Sequence, residues 1–226
     1  MNMNNSTIPV ITIDGPSGAG KGTVAQMLAL DLDWNILDSG ALYRTLAFFM
    51  NENDISLEQF DENADEIKKM FKVSFDPGIP GEPVKVIFNK EDITSKIRTE
   101  EIAKITSTLA TEPKIREFIK PCQREFMISP GLIADGRDMG TVIFADAQYK
   151  IFLTASIEER AKRRQTQLKR HGLEVNMRSL LQELEERDKM DPEREHSPLV
   201  PADNSVIIDT SNLNPEGVVK KIKTYL

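Results

Sequence analysis

The stretch Pro9-Val-Ile-Thr-Ile-Asp-Gly-Pro-Ser-Gly-Ala-Gly-Lys-Gly-Thr23 places an apolar run, a glycine-rich loop and the start of a helical pattern in direct succession. The loop matches the spacing G-x-x-x-x-G-K, with its lysine at Lys21. Glycines in such a loop let backbone N–H groups surround phosphate oxygens, and the lysine reaches the β and γ phosphates of a nucleotide. The stretch therefore predicts a strand, a phosphate-binding loop and a helix; a glycine-rich turn without a ligand is the alternative. The residues predicted to bind ATP are Gly15, Pro16, Ser17, Gly18, Ala19, Gly20, Lys21, Gly22 and Thr23.

Further apolar runs share the character of the first one. They are 34–38, 132–135, 150–154 and 205–209, and all but the run at 150–154 end in aspartate, as the first run does. Helical patterns separate these runs, at 21–32, 41–51, 60–71, 99–110, 113–128, 156–169, 177–190 and 215–226. Short apolar strands alternating with helices predict a five-stranded parallel sheet covered on both faces, a doubly wound α/β fold. The terminal aspartates then lie at the carboxyl edge, where open α/β sheets bind ligands.

A turn-rich segment interrupts this alternation. Asp76-Pro-Gly-Ile-Pro-Gly-Glu-Pro83 lies between two alternating runs, 72–75 and 84–88. Proline and glycine at these positions favour turns, so the segment predicts an inserted hairpin subdomain within a single domain spanning 1–226.

Composition and charge limit the classes of partner. The chain has 226 residues, of which 39% are hydrophobic and 29% charged, and its formal net charge is −7. Such a charge repels nucleic acid and anionic membranes, so neither is an expected partner. The apolar runs are too short to cross a bilayer and the amino terminus lacks the pattern of a secretory signal, which favours the cytoplasm. The single cysteine, Cys122, has no partner for an internal disulfide, and we expect a monomer.

The segment Asp38-Ser-Gly-Ala-Leu-Tyr-Arg44 follows the second predicted strand. Ser39 offers a hydroxyl and Arg44 a guanidinium, which suits a second phosphate near the loop. An ordinary N-capping turn followed by a solvated arginine is the alternative.

The segment Asp135-Gly-Arg-Asp-Met-Gly140 follows the third strand. Arg137 and Asp138 are candidates for contacts with an acceptor, and a tight turn with a local ion pair is the alternative. The residue after Lys21 is Gly22, where many nucleotide triphosphatases place the hydroxyl that holds magnesium. We therefore predict Mg²⁺, bound as Mg-ATP, near Thr23 and Asp135, directly or through water.

A third group of cations follows the fourth strand. It consists of Arg160, Arg163, Arg164, Arg187 and Arg194. Each alone is typical of a solvated helix face, but together they suit the charge that develops during phosphoryl transfer. The segment 167–176, with a glycine in its middle, is a candidate lid over ATP.

Five segments carry a close resemblance to bacterial cytidylate kinases, members of the P-loop nucleoside monophosphate kinases. They are 13–23, 37–44, 97–100, 130–142 and 198–202. The run Arg137-Asp-Met-Gly140 is the most specific, because adenylate and guanylate kinases share the phosphate loop but not this sequence. The resemblance implies a core with a nucleoside-monophosphate-binding insertion at about 60–112 and a short lid at about 165–178.

The resemblance also implies roles for individual residues. ATP would phosphorylate CMP and dCMP, with Lys21, Arg137, Arg163 and Arg187 at the transferred group. The implied CMP-binding residues are Ser39, Tyr43, Arg44, Ser107, Arg116, Arg137, Asp138, Arg187, Asp191 and Arg194. Two other functions remain open from the residues alone: a P-loop kinase of another small molecule, such as UMP or shikimate, and a nucleotide-dependent binding switch.

Overall fold

The computed structural model describes residues 8–170, 175–190 and 197–226, with the side chain of Arg170 left out. The predicted site residues Asp191 and Arg194, and part of the predicted lid, lie outside the described residues.

Strands and helices alternate along most of the described chain. The strands are β1 (Val10–Asp14), β2 (Asn35–Asp38), β3 (Val73–Asp76), β4 (Lys85–Phe88), β5 (Glu91–Asp92), β6 (Leu132–Asp135), β7 (Tyr149–Thr154) and β8 (Val206–Asp209). The α-helices are α1 (Lys21–Leu32), α2 (Ser39–Glu52), α3 (Phe60–Met70), α4 (Glu100–Leu109), α5 (Pro113–Arg124), α6 (Ile157–Arg170), α7 (Met177–Met190) and α8 (Pro215–Lys223).

The predicted main sheet is confirmed. Its five strands are all parallel and run in the order β2-β6-β1-β7-β8. β1 is buried along its whole length, and its residues alternate between two apolar layers. Val10 packs in one layer with α2 and α5, whereas Ile11 and Ile13 pack in the other with α1 and α8. Burial on both faces explains why these strands read as continuous apolar runs.

A separate small sheet lies between α3 and α4. It is antiparallel, in the order β3-β4-β5. The first two strands match the predicted hairpin, whereas β5 is an addition to it. β5 consists of two exposed acidic residues, and acidic residues are depleted in strands, so no local signal indicated it.

Two local features position the site. α2 begins at Ser39, because the Asp38 side chain accepts a hydrogen bond from the Ala41 N–H (2.9 Å) and caps the helix. The segment Met139–Ile143 forms one turn of π-helix rather than the tight turn considered from the sequence.

None of the helices in the described part of the chain is long and apolar enough to cross a membrane.

Candidate active site

The phosphate loop joins β1 to α1, and its shape requires glycine at defined positions. Gly15 has φ +145°, and a Cβ there would lie 2.1 Å from the Leu153 carbonyl oxygen of β7. Gly20, with φ +91°, directly precedes α1. A side chain at Gly15 would therefore collide with the neighbouring strand. Glycine at this position lets the loop turn tightly before the helix amino terminus.

Lys21 folds back over this loop. Its Nζ donates a hydrogen bond to the Pro16 carbonyl oxygen (2.9 Å), and the residue lines a cavity of about 390 Å³. Burial lowers the pKa of Lys21, although the nearby carboxyl of Asp135 opposes this effect. The ammonium group is therefore held at the base of the cavity beside an acid, ready to contact phosphate oxygens.

Several other parts of the chain share the walls of this first cavity with the phosphate loop. They include the start of α2, the segment after β6, the insertion, and α5. The wall residues besides the loop include Ser39, Tyr43, Arg98, Thr106, Arg116, Arg137 and Asp138. The structure therefore brings together most of the predicted acceptor residues that it describes.

Arg98 lines the first cavity, and Arg44, which does not line it, lies near Arg98. Arg44 donates a hydrogen bond to the Ile97 carbonyl oxygen (3.1 Å). Burial lowers the pKa of Arg44, and the positive charges of Arg98 and Arg187 lower it further. Arg98, which sequence reasoning did not single out, lies 3.9 Å from the Asp38 carboxylate. Clustered guanidinium groups that disfavour one another's charge form a site that an anion would stabilise.

Ser39 is buried, and its hydroxyl accepts a hydrogen bond from the Gln123 side chain (2.8 Å). Gln123 belongs to α5, and its partnership with Ser39 crosses 84 residues of sequence. No spacing rule indicates such a contact, so sequence reasoning missed Gln123.

A buried ion pair lines the first cavity. Arg116 contacts the Asp138 carboxylate, and both side chains are mostly buried, with 14% and 9% exposed. Arg116 also donates to the Ala110 carbonyl oxygen (3.1 Å), which fixes the direction of its guanidinium. Asp138 therefore forms an ion pair across elements, between α5 and the segment after β6.

Ser107 differs from the other predicted acceptor residues. It is exposed, and its hydroxyl donates to the Ala103 carbonyl oxygen one turn earlier in α4 (2.9 Å). Thr106 lines the cavity instead. The structure does not bring Ser107 to the cavity wall, and its contact with a base stays a prediction.

Comparison with known proteins identifies this arrangement. The family model described as "Cytidylate kinase" matches residues 11–226. The chain belongs to the cytidylate kinase family. A "Cytidylate kinase" of Shewanella frigidimarina is 49% identical over 218 residues, covering 96% of this chain and 95% of that protein. A "Cytidylate kinase" of Colwellia psychrerythraea is 49% identical over 223 residues, covering 99% and 97%. Membership confirms the predicted enzyme class, a nucleotide-binding kinase that phosphorylates CMP with ATP.

In this member of the cytidylate kinase family, Asp14 holds the segment that carries Asp138. Its carboxylate accepts hydrogen bonds from the Met139 N–H (2.9 Å) and the Gly140 N–H (2.8 Å). Burial raises the pKa of Asp14 to about 6, although both hydrogen bonds oppose the shift. Its position at the end of β1 was the only sequence signal for this role.

Asp135 lines the first cavity near Lys21, and its contact with a magnesium ion bound with ATP stays a prediction. Burial raises its pKa to about 7, while the charge of Lys21 opposes the rise. A Cβ at Gly22 would lie only 3.4 Å from the Asp135 carboxylate oxygen, so glycine leaves room between the helix and the acid. The described residues contain no group of three or more acidic, histidine or cysteine side chains that could hold a metal. One carboxylate and the Thr23 hydroxyl fit an ion held mainly by nucleotide phosphates and water.

The pKa of Asp135 predicts how stability depends on pH. Its folded value, about 7, exceeds the ordinary value of 3.8, so the folded chain binds this proton more tightly than the unfolded chain. The resulting stabilisation is complete below about pH 4 and is lost as the pH rises through about 7. We expect the fall in Tm between pH 5 and pH 8 to be smaller for Asp135→Asn than for the unsubstituted chain.

Calorimetry with EDTA and without nucleotide measures this difference. Lys21 reinforces the expected result. In Asp135→Asn the buried lysine lacks the acid that opposes the lowering of its pKa, so the loss of its proton at higher pH favours the folded state. Parallel Tm profiles for the two proteins would contradict the prediction.

A second cavity, of about 600 Å³, lies on the other side of the phosphate loop. Loop residues line both cavities, and α6 and the start of α8 complete the second one. Arg163 borders it and donates to the Thr210 hydroxyl (3.0 Å) and the Thr210 carbonyl oxygen (2.6 Å). Arg163 is therefore held beside the loop without lining the first cavity, and its contact with the transferred group stays a prediction.

Arg160 joins the loop to the helices beyond it. Its side chain is 4% exposed; it forms an ion pair with Asp188 of α7 and donates to the Ser17 carbonyl oxygen (3.2 Å). Arg187, the neighbour of Asp188, is exposed at the carboxyl end of α7 and acts electrostatically on Arg44. α7 thus brings one arginine toward the acceptor side while the adjacent acid anchors the helix to the loop.

Proposed function

We propose that this chain transfers the γ-phosphoryl group of ATP to the phosphate of CMP, and of dCMP, by direct in-line displacement. The observation that carries this proposal is the opening of the buried Arg116–Asp138 pair into the same cavity as Lys21. The same cavity thus holds two side chains that can recognise a base and the phosphate loop that can bind ATP.

The ion pair suits cytosine by its pattern of donors and acceptors. The exocyclic amine of cytosine can donate a hydrogen bond to the Asp138 carboxylate. Its ring acceptors can accept hydrogen bonds from the Arg116 guanidinium. Uracil reverses two of these groups, so its carbonyl would face the carboxylate. A mispaired buried polar group costs about 1–3 kcal/mol, which favours CMP over UMP.

The reaction needs positioning and charge more than acid–base chemistry. The acceptor phosphate is already a nucleophile, so no general base is required. Ser39, Tyr43 and Arg44 would hold that phosphate and its sugar, while Lys21, Arg137 and Arg187 would stabilise the transferred group. Thr23 and Asp135 would hold magnesium, which neutralises phosphate charge when bound.

The second cavity suits the adenosine part of ATP, since it meets the first cavity at the phosphate loop. The insertion at about 60–112 would then bind the acceptor, and the segment at about 165–178 would close over ATP. We expect the chain to act as a monomer.

A coupled assay of ADP release tests the proposal. CMP, dCMP, UMP, AMP, GMP and shikimate are compared as acceptors, and a reaction without acceptor measures hydrolysis alone. We expect turnover with CMP and dCMP to exceed that with the other acceptors. Turnover confined to UMP or shikimate would identify another small-molecule kinase, and hydrolysis that is indifferent to any acceptor would indicate a switch.

Two arginines of the acceptor cluster are expected to differ in their kinetic effects. Arg44 is anchored by Ile97 beside the static acceptor phosphate, so Arg44→Ala should mainly raise the KM for CMP. Arg187 is assigned to the transferred phosphoryl group, so Arg187→Ala should mainly lower kcat. Steady-state kinetics at varied CMP separate the two effects. The same kinetic pattern in both variants would refute the division of roles.

A further inference from the structure

A buried glutamine on the phosphate-loop helix holds the inserted subdomain. Gln26 lies in α1, five positions after Lys21, and is only 1% exposed. Its side-chain amide donates to the Pro77 carbonyl oxygen (2.8 Å) and to the Glu82 carbonyl oxygen (2.8 Å). Its side-chain oxygen accepts a hydrogen bond from the Gly81 N–H (3.3 Å). One side chain thus makes three hydrogen bonds to a loop more than 50 positions away in sequence.

This loop, residues 77–84, forms part of the active-site wall. Residues 81–84 line the first cavity, and Gly81 also borders the second. Val84 at its end is 4% exposed and packs in the same apolar layer as Ala19 and Val24 of the loop and helix. The turn of the insertion is therefore docked on the ATP side of the site by polar and apolar contacts together.

The docked loop also reaches the acceptor side. Arg98 donates to the Val84 carbonyl oxygen (3.5 Å) and lies 3.9 Å from the Asp38 carboxylate. Arg98 lines the first cavity and adds its charge beside Arg44. A continuous series of contacts therefore runs from the ATP helix, through the loop, to the arginines of the acceptor site.

We propose that Gln26 is a positioning residue for the acceptor: by fixing loop 77–84 against α1 it holds Arg98 where the acceptor phosphate binds. The proposal rests on the proposed function, since it assigns the arginine cluster to that phosphate. Removal of the amide would leave two backbone carbonyls and one N–H without their protein partner. The loop would then keep its apolar contacts and the hydrogen bond from Arg98 to the Val84 carbonyl oxygen, so Arg98 would be held by a less firmly fixed loop.

Kinetics of Gln26→Leu test this role. The substitution removes all three hydrogen bonds at similar volume, and we expect the KM for CMP to rise at least about fivefold, on the scale of one lost hydrogen bond. The KM for ATP should change less than about twofold, because the phosphate loop keeps its own backbone geometry. Hydrogen exchange of residues 77–84 should become faster.

Thr45→Val is the matched control. Thr45 is fully buried in α2, and its hydroxyl donates only to the Ala41 carbonyl oxygen (2.9 Å), so its loss tests the general cost of a buried hydrogen bond. We expect a lower Tm with an unchanged KM for CMP. If Gln26→Leu does not fold, Gln26→Asn replaces it, because this variant keeps the amide on a shorter side chain. We then expect a smaller rise in the KM for CMP.

An unchanged KM for CMP in a folded Gln26 variant, or an equal rise in Thr45→Val, would overturn the proposal. Failure of the proposed function would give a different result. If the unsubstituted chain did not phosphorylate CMP, the function itself would be refuted before any variant is compared.

Discussion

Replacement of Lys21 by alanine is expected to lower kcat for CMP phosphorylation at least about a hundredfold while leaving the fold intact. The loss is on the scale of removing one donor that stabilises transition-state charge. Lys21 lines the cavity at the amino terminus of α1, where its ammonium group donates to the Pro16 carbonyl oxygen. The coupled assay of ADP release gives kcat, and circular dichroism verifies the fold.

Lys223→Ala is the control for the loss of one positive charge. Lys223 is an exposed residue of α8 that pairs with Asp31 (2.6 Å), and we expect normal kcat from its variant. A folded Lys21→Ala protein with near-normal kcat would refute the assignment of the phosphate loop.

The second large effect concerns the choice of base. The unsubstituted chain should prefer CMP over UMP at least about tenfold in kcat/KM, and Asp138→Ala should erode that preference mainly by losing CMP activity. The structure strengthens the reason, because the substitution removes the acceptor for the cytosine amine and also leaves the Arg116 guanidinium buried without its acid. Values of kcat/KM with CMP and UMP as acceptors measure the change.

Arg116→Ala and the double variant complete the comparison. Since the two side chains contact each other, their effects on CMP activity should be strongly non-additive. If Asp138→Ala retained full discrimination, Asp138 would not read the base, and the role would move to Arg116 and Ser107.

The main sheet could be predicted because its strands are short and, apart from the partly exposed edge strand β8, buried on both faces. Such strands have no polar alternation, and their ends are marked by residues such as Asp14 and Asp38 that emerge at the ligand edge. β5 could not be predicted, since its acidic residues pair only because β4 is adjacent. The π-helical turn after Asp138 likewise depends on Asp14, a partner 125 positions away.

The candidate site was predictable where its residues follow strands or open helices. The phosphate loop, Ser39 and Asp138 all belong to that class, because strand order alone brings them to one edge. Contacts between side chains of distant elements were not predictable. Gln26, Gln123 and the pairing of Arg116 with Asp138 depend on how α1, the insertion and α5 pack, and no local pattern encodes that packing.

The buried Arg160 has a consequence for local unfolding. Because it joins α6 and α7 to the Ser17 carbonyl oxygen, separation of these helices would also release the loop. The two helices and the loop should then open as one cooperative unit. A nucleotide that binds only the closed loop would shift that equilibrium, so occupancy of the phosphate site would protect peptide bonds throughout α7 from proteases, including those that the nucleotide does not contact.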